Sequence, residues 1–379
     1  MRIVADENIP LAREAFGAFG DVVLAPGRKI DRAMLADADV LVVRSVTRVD
    51  EALLDGSRVR FVGTATIGTD HVDLAALARR GIAFSAAPGC NARSVAEYVV
   101  AALLALEVDL GRELRGATIG VVGVGNVGSR VATLARALGM RVLLCDPPRA
   151  EREAGFAGVS FGVVVRAADV LTFHVPLERG GDHPTRHLLD AEAIEQLRPG
   201  AIVFNSSRGG VLDDDALAIA CAAGRADAVL DVWEAEPRPS AAMLGVVRFA
   251  TPHIAGYSLD GKLAGTRMIA AALAAFLGAP APPAETFHVP VAAPFLEVHA
   301  SGRAAVRTAV ERVYDLRADD ARMRAALADA GGVPEARGAA FDRLRRDYPV
   351  RREFAGHEVR GVVDADARET LAALGFDVV

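Results

Sequence analysis

Three polar residues stand just past late apolar runs. Arg208 follows Asn205-Ser206-Ser207, Glu236 follows Asp231-Val232-Trp233, and His253 follows Thr251-Pro252. An imidazole titrates near neutral pH and can take a proton from a hydroxyl, while a partner carboxylate fixes the ring and keeps the imidazolium available for the reverse step. The planar fork of an arginine can grip a carboxylate through two hydrogen bonds. Base, orienting acid and cation together suit oxidation at a carbon that carries a hydroxyl next to a carboxylate. Taken singly, each residue is more often a surface charge or a satisfied core histidine; it is their joint occurrence at strand ends that points to chemistry, because such ends face the ligand crevice of an open α/β sheet.

Such an oxidation needs a hydride acceptor, and Gly123-Val124-Gly125-Asn126-Val127-Gly128 offers a place for one. The run follows a strand and opens a helix whose Val127, Val131, Leu134 and Leu138 form an apolar stripe ending at Gly139. Gly123 permits the tight turn, Gly125 lets a pyrophosphate approach the backbone, and Gly128 lets helix and strand pack closely. Asp146 ends the next strand, where a carboxylate can receive the adenosine ribose hydroxyls and repel a 2′-phosphate. A glycine turn without a ligand is common for an isolated motif, but here strand, helix and acid all fall in place. Arg149 is the one feature that could accommodate NADP; an arginine after Pro147-Pro148 reads more simply as solvated, so the expected cofactor is NAD.

Alternating strand and helix patterns position these residues. Arg2 to Ala5, Val40 to Arg44, Arg60 to Thr64 and Ile82 to Ser85 read as strands of a first domain. Ser94 with Glu97 has the spacing of a capping box, and Val95, Val99, Leu103 and Leu106 continue it as a long helix into a second domain. There the strands are Ala117 to Gly123, Val142 to Cys145, Val170 to His174, Ala201 to Asn205 and Ala228 to Val232. A helix from Asp260 to Leu277 can return to the first domain, which makes that domain discontinuous. The expected division is 1–95 with 255–280 for substrate, 96–254 for the dinucleotide, and 281–379 as a third, smaller domain after an Ala- and Pro-rich linker at 278–294. The fold class is α/β, with two Rossmann-like doubly wound parallel sheets and a small α/β C-terminal domain.

Composition excludes several other classes. The 379 residues are 52% apolar and 24% charged, the balance of a folded chain with more than one core. The N-terminus reaches charged residues at once, and the longest apolar stretches, Val95 to Leu106 and Met268 to Leu277, are too short for a bilayer, so no signal peptide, no membrane and a cytoplasmic location are expected. A net charge of −6 argues against nucleic acid, although Arg303 to Arg352 is locally arginine-rich. Cys90, Cys145 and Cys221 are far apart and read as buried thiols. The only lysines are Lys29 and Lys262, which disfavours Schiff-base or P-loop chemistry. His183 and His187 are four apart but sit among glycines and Pro184, which reads as a loop, and no metal is expected. His71 reads as a turn or helix-start residue.

The segments around Gly123, Arg208, Glu236-Pro237 and His253 resemble the D-isomer-specific 2-hydroxyacid dehydrogenase family over roughly residues 1 to 280. The resemblance implies that Arg208, Glu236 and His253 form the active site of an NAD-dependent dehydrogenase. Further features narrow it: Asp6 to Pro10, Arg44-Ser45-Val46-Thr47, Thr66 to His71, Pro88 to Asn91 and Pro252 to Ser258. These are similar to members that act on a phosphorylated polyol acid and carry an added C-terminal domain for dimerisation. That similarity implies substrate contacts at Ser45, Thr66 and Tyr257, and NAD contacts at Gly123, Gly125, Asn126, Val127, Gly128, Asp146, Ser206, Ser207, Arg208, Asp231 and Gly256. Val175 would contact NAD through its backbone. The residues themselves allow this: Ser45 and Thr66 follow strands, and Arg44 could add charge for a phosphate, although local turn capping by Ser and Thr is the plainer reading. Arg343, Arg345 and Arg346 could help bind the phosphate, against the default of a solvated helix face. The alternatives are a dehydrogenase for another 2-hydroxy acid and a non-catalytic NAD sensor. Regulatory members of the family often end in a βαββαβ module, which the helical middle of residues 303–347 does not resemble.

Overall fold

Short β-branched runs set the strands and amphipathic stretches the helices, and a computed structural model describes them for residues 1–289 and 295–379. The end of the Ala- and Pro-rich linker, residues 290–294, lies outside the described residues. The chain divides into two compact units: Met1–Asn91 with the described residues from Tyr257 to 289, and Ala92–Gly256 with residues 295–379.

The first unit is built on five parallel strands, β1 (Arg2–Asp6), β2 (Asp21–Ala25), β3 (Val40–Val43), β4 (Phe61–Thr64) and β5 (Ala83–Ser85), in the order β2-β1-β3-β4-β5. Four of them lie within one residue of the bounds read from the sequence; β2 was not anticipated. The helix Leu259–Leu277 is capped by the Ser258 hydroxyl, which accepts from the Gly261 N–H, and ends at Gly278 in the left-handed region, φ 64°. Its Ile269, Ala270 and Leu273 share a core with Ile3, Phe16 and Phe61. At Gly63 of β4 a Cβ would fall 2.4 Å from Ile269 Cγ2, so helix and sheet approach as closely as they do only because this residue has no side chain.

The second unit holds six parallel strands, β6 (Thr118–Val122), β7 (Arg141–Cys145), β8 (Val170–Phe173), β9 (Ala201–Asn205), β10 (Ala226–Leu230) and β11 (Phe249–Ala250), in the order β11-β10-β9-β8-β6-β7. Strand order reverses between β6 and β8, which opens a crevice at their carboxyl ends. β10 begins and ends two residues earlier than the sequence suggests. The long helix is Ala92–Asp109, so Ser94 and Glu97 lie inside it and form no capping box. The Ser94 hydroxyl donates to the Ala255 carbonyl at 2.9 Å, and the Glu97 carboxylate accepts the Phe354 N–H at 3.1 Å.

The C-terminal residues add a small parallel sheet of β12 (Leu296–Glu297), β13 (Glu358–Arg360) and β14 (Asp377–Val378), with helices Gly302–Val313, Leu316–Asp329, Pro334–Arg346 and Ala365–Ala373. Val306, Val310 and Tyr314 belong to the same core as Val99, Leu103 and Ile119. Met323, Leu327 and Phe341 join the core of Trp233 and Met243. Arg303 pairs with Glu107 of the long helix at 2.7 and 3.0 Å. The architecture is two doubly wound parallel sheets with a small α/β extension.

Candidate active site

β10 and β11 lead into neighbouring loops of the second unit that carry Glu236 and His253. Nδ1 of His253 lies 3.0 Å from Oε2 of Glu236, and Oε1 accepts the Trp233 N–H at 3.1 Å. One carboxylate thus holds the ring and is itself held by backbone. Burial opposes charge on Glu236, but His253, Arg345 and the Trp233 N–H outweigh it and keep its pKa below the usual glutamate value. His253 has φ 58°, a left-handed conformation worth about 1–3 kcal/mol of strain for a non-glycine residue. Its N–H donates to the Asp231 carbonyl at 2.7 Å. The buried Asp231 carboxylate accepts from Thr251 Oγ1 at 2.7 Å, Ile254 N at 2.7 Å and Ala255 N at 2.9 Å. The strained residue is therefore pinned on both sides by Asp231, which gives that residue a structural task in the loop.

Arg208 follows β9 in a turn tied by Asn205, whose Nδ2 donates to the Arg208 carbonyl at 2.8 Å and whose Oδ1 accepts from Ser207 N and Oγ. Nη1 of Arg208 donates to the Ser207 carbonyl at 2.8 Å. At Gly209 a Cβ would fall 1.9 Å from the Trp233 carbonyl oxygen, so this glycine lets the arginine turn lie against the segment that carries Glu236. Arg208, Glu236 and His253 thus come from adjoining strand ends.

At the crevice between β6 and β8, Gly123 has φ 84°, and a Cβ there would meet the His174 carbonyl oxygen at 2.5 Å and Val175 Cγ1 at 2.7 Å. A Cβ on Gly128 would meet the Gly123 carbonyl oxygen at 1.9 Å. Gly125 differs, for nothing lies within 4 Å of its Cβ position. Packing demands the outer two glycines, whereas the middle one keeps open space at the N-terminus of the helix Asn126–Ala137, as a pyrophosphate site requires. Ser206 Oγ is buried without a partner among the described residues, a polar atom left for a ligand. Asn126 and Val127 open the helix, and Gly256 follows Ala255 at the end of the His253 loop.

Asp146 accepts from Val124 N at 2.8 Å and from Arg149 N at 2.9 Å, which ties it to the glycine turn. Arg149 is not simply solvated, as its sequence context suggested. It pairs with Glu153 at 2.7 Å, donates to the Val124 carbonyl at 2.8 Å and stacks on Phe156. His174 accepts or donates at Thr172 Oγ1, 2.8 Å away, and burial lowers its pKa to about 3, so it is a neutral ring beside the crevice. The cysteines also differ from expectation: Cys145 is buried, but Cys90 and Cys221 are half-buried.

In the first unit, β3 and β4 pair with Val43 opposite Thr64, which places Arg44-Ser45 and Ala65-Thr66 at neighbouring carboxyl ends. Arg44 Nε pairs with the buried Asp6 at 3.1 Å, and Ser45 is exposed. Thr66 Oγ1 lies 2.8 Å from Thr64 Oγ1, which in turn lies 3.0 Å from His71 Nε2. His71 sits in the turn before helix Leu74–Arg79. The Tyr257 ring carries Lys262 Nζ 4.8 Å from its centroid, a lysine whose scarcity spoke against Schiff-base chemistry but whose place one turn after the Ser258 cap gave no sign of this contact. His183 binds Glu151 at 2.8 Å and His187 binds Glu234 at 2.7 Å, so the two take different partners. Among the described residues no helix is long and apolar enough to cross a membrane.

Comparison with known proteins decides the family. Along its whole length the chain is 51% identical to an erythronate-4-phosphate dehydrogenase of Azotobacter vinelandii, covering 100% of that protein. It is 49% identical to that of Edwardsiella ictaluri, covering 99%. The chain belongs to the erythronate-4-phosphate dehydrogenase family. Residues 91–255 match the NAD binding domain of D-isomer specific 2-hydroxyacid dehydrogenases, and residues 293–375 match a domain of unknown function. A D-lactate dehydrogenase from Aquifex aeolicus, solved with NAD and lactic acid, is 26% identical with a TM-score of 0.61, over 73% of this chain and 96% of its own. An NAD-bound 3-phosphoglycerate dehydrogenase from Entamoeba histolytica is 25% identical with a TM-score of 0.63, over 73% and 95%. The glycine turn at Gly123 and the buried Ser206 hydroxyl both lie within the residues that match this NAD binding domain.

Proposed function

We propose that this protein oxidises 4-phospho-D-erythronate with NAD to 2-oxo-3-hydroxy-4-phosphobutanoate, a cytoplasmic step in the biosynthesis of pyridoxal 5′-phosphate. The supporting observation is the 3.0 Å His253–Glu236 pair in a chain that matches erythronate-4-phosphate dehydrogenases from end to end. Bound NAD supplies the acceptor for the hydride that leaves C2. With Nδ1 engaged by Glu236, His253 presents Nε2 to the C2 hydroxyl and takes its proton, and Arg208 holds the carboxylate. Glu236 orients the ring and offsets the charge that it gains. Gly123, Gly125, Asn126, Val127 and Gly128 receive the pyrophosphate, Asp146 the adenosine ribose; Val175, Ser206, Ser207, Asp231 and Gly256 complete the NAD contacts. Ser45, Thr66 and Tyr257 bind the substrate, and Arg44 adds charge for its phosphate.

In this reading residues 1–95 with 255–280 serve the substrate, 96–254 serve NAD, and 281–379 join two chains in a homodimer. The test is NADH formation by the purified protein with 4-phosphoerythronate and, separately, with 3-phosphoglycerate, in the presence of a trap for 2-oxo acids. Preference for phosphoerythronate supports the assignment. Preference for phosphoglycerate keeps the chemistry and replaces the substrate, and inertness towards both would favour an NAD sensor.

A further inference from the structure

The helix Pro334–Arg346 ends in three arginines with different surroundings. Arg343 and Arg346 are exposed, and Arg346 pairs with Asp347 at 2.8 Å. Arg345 is half-buried, with its Nε shielded from solvent. It follows Gly338 by seven residues, two helical turns, and so shares its face. A Cβ on Gly338 would lie 3.4 Å from Pro237 Cγ, and Phe341 between them is buried in the core of Trp233. Arg337 Nη2 donates to the Pro239 carbonyl at 3.0 Å. The helix therefore runs along Pro237 to Pro239, the residues directly after Glu236.

A second contact reaches the loop of His253. The buried Arg351 stacks 4.0 Å from the Tyr314 ring centroid, and its Nη2 donates to the Ala255 carbonyl at 2.7 Å and to Ser94 Oγ at 2.5 Å. Ala255 is two residues beyond His253.

We propose that the C-terminal extension is a positioning element of the proton-handling pair, with Arg345 steadying Glu236 and Arg351 anchoring the peptide that follows His253. It deepens the proposed function and rests on that reading in taking His253 as the proton acceptor. Two groups that favour the Glu236 anion are His253 from its neighbouring loop and Arg345 from the helix. Arg337 is committed to carbonyls and Arg238 is exposed. Burial works against the Glu236 anion, and the His253 ring and the Arg345 guanidinium offset it. Without Arg345 the carboxylate takes up a proton at higher pH and releases the imidazole earlier as the solution is acidified.

The experiment compares the full-length parent with Arg345→Gln and Arg345→Lys. In the Gln variant the acid limb of the kcat/KM profile is expected to move up by about half a pH unit and kcat to fall several-fold, with KM for NAD within about twofold of the parent. The Lys variant restores the limb. A readout without turnover is solvent exchange of the His253 Nδ1 proton, followed by NMR and assigned through His253→Asn, which quickens in the Gln variant and not in the Lys variant. A Gln profile and exchange rate superimposable on the parent's overturn the proposal. So does an unmoved limb with a raised KM for the phosphorylated acid, which would assign Arg345 to substrate. If the parent oxidises neither acid yet the exchange rates differ as expected, the substrate reading fails and the positioning role stands.

Discussion

At the scale of single residues, the glycines of the dinucleotide turn separate folding from binding. Gly125→Ala meets no neighbour within 4 Å, so its melting temperature should stay within about 2 °C of the parent while NAD affinity falls at least about tenfold, measured by calorimetric titration. Gly128→Ala forces a Cβ to 1.9 Å from the Gly123 carbonyl and should lower stability itself, by about 1–3 kcal/mol in urea unfolding. The base is tested in the same way: His253→Asn should lower kcat by about 10²–10⁴ while NAD still binds, and full activity in that variant would remove His253 from the role. That Arg208, Glu236 and His253 stand at neighbouring strand ends was legible in the sequence, because their types and positions are local. Arg345 was legible only as one of three arginines, since what distinguishes it is the burial of one helix face.

Among the elements, parallel strands were readable from β-branched runs, and β2 was missed because Val22-Val23-Leu24 is too short for periodicity to declare a strand. Ser94 and Glu97 show the opposite failure. Their spacing suits a cap, yet Ser94 bonds a carbonyl 161 residues on and Glu97, besides its pair with Arg93, accepts from an N–H 257 residues on, where spacing has no reach. Burial raises the Glu97 pKa to about 8 against the opposing effect of Arg93. The folded state therefore favours the protonated acid: this contribution to stability is complete below the ordinary glutamate value and is lost as pH rises towards 8. Glu97→Gln should escape that loss, gaining on the parent by at most about 1.4 kcal/mol per pH unit between pH 5 and 8 in denaturant titrations. Equal slopes would show that Glu97 is ionised throughout. Gly63→Ala should cost about 1–3 kcal/mol, because Ile269 of the covering helix fills the space a methyl group would need.

At the scale of the molecule, the C-terminal extension shares two cores with the dinucleotide-binding strands. Ending the chain at residue 289 would remove Tyr314 from the Tyr98 ring and take Val306, Met323 and Phe341 out of the two cores. The truncated protein is expected to be insoluble or to lose cooperative unfolding in a thermal melt, and a soluble, cooperatively folding product would show the extension to be separable. Composition and the linker suggested a third segment; they could not show that its Val306, Met323 and Phe341 share cores with the dinucleotide-binding strands, since that depends on side chains far apart in sequence.

The first unit has a different dependence, which concerns the order in which residues leave the ribosome. Its sheet is finished by β5 at Ser85, but the helix that supplies Ile269, Ala270 and Leu273 to its core ends only at Leu277. At the usual pace of bacterial-type synthesis the intervening stretch takes roughly 10–40 s to make. For that interval this face of the sheet lacks Ile269, Ala270 and Leu273 and is covered only in part, by Ala12, Ala15 and Phe16, while the glycine-turn domain encoded between the two halves is emerging. The nascent chain is thus a natural client for chaperones that bind exposed apolar strands, and slow codons placed before Tyr257 would lengthen its exposure.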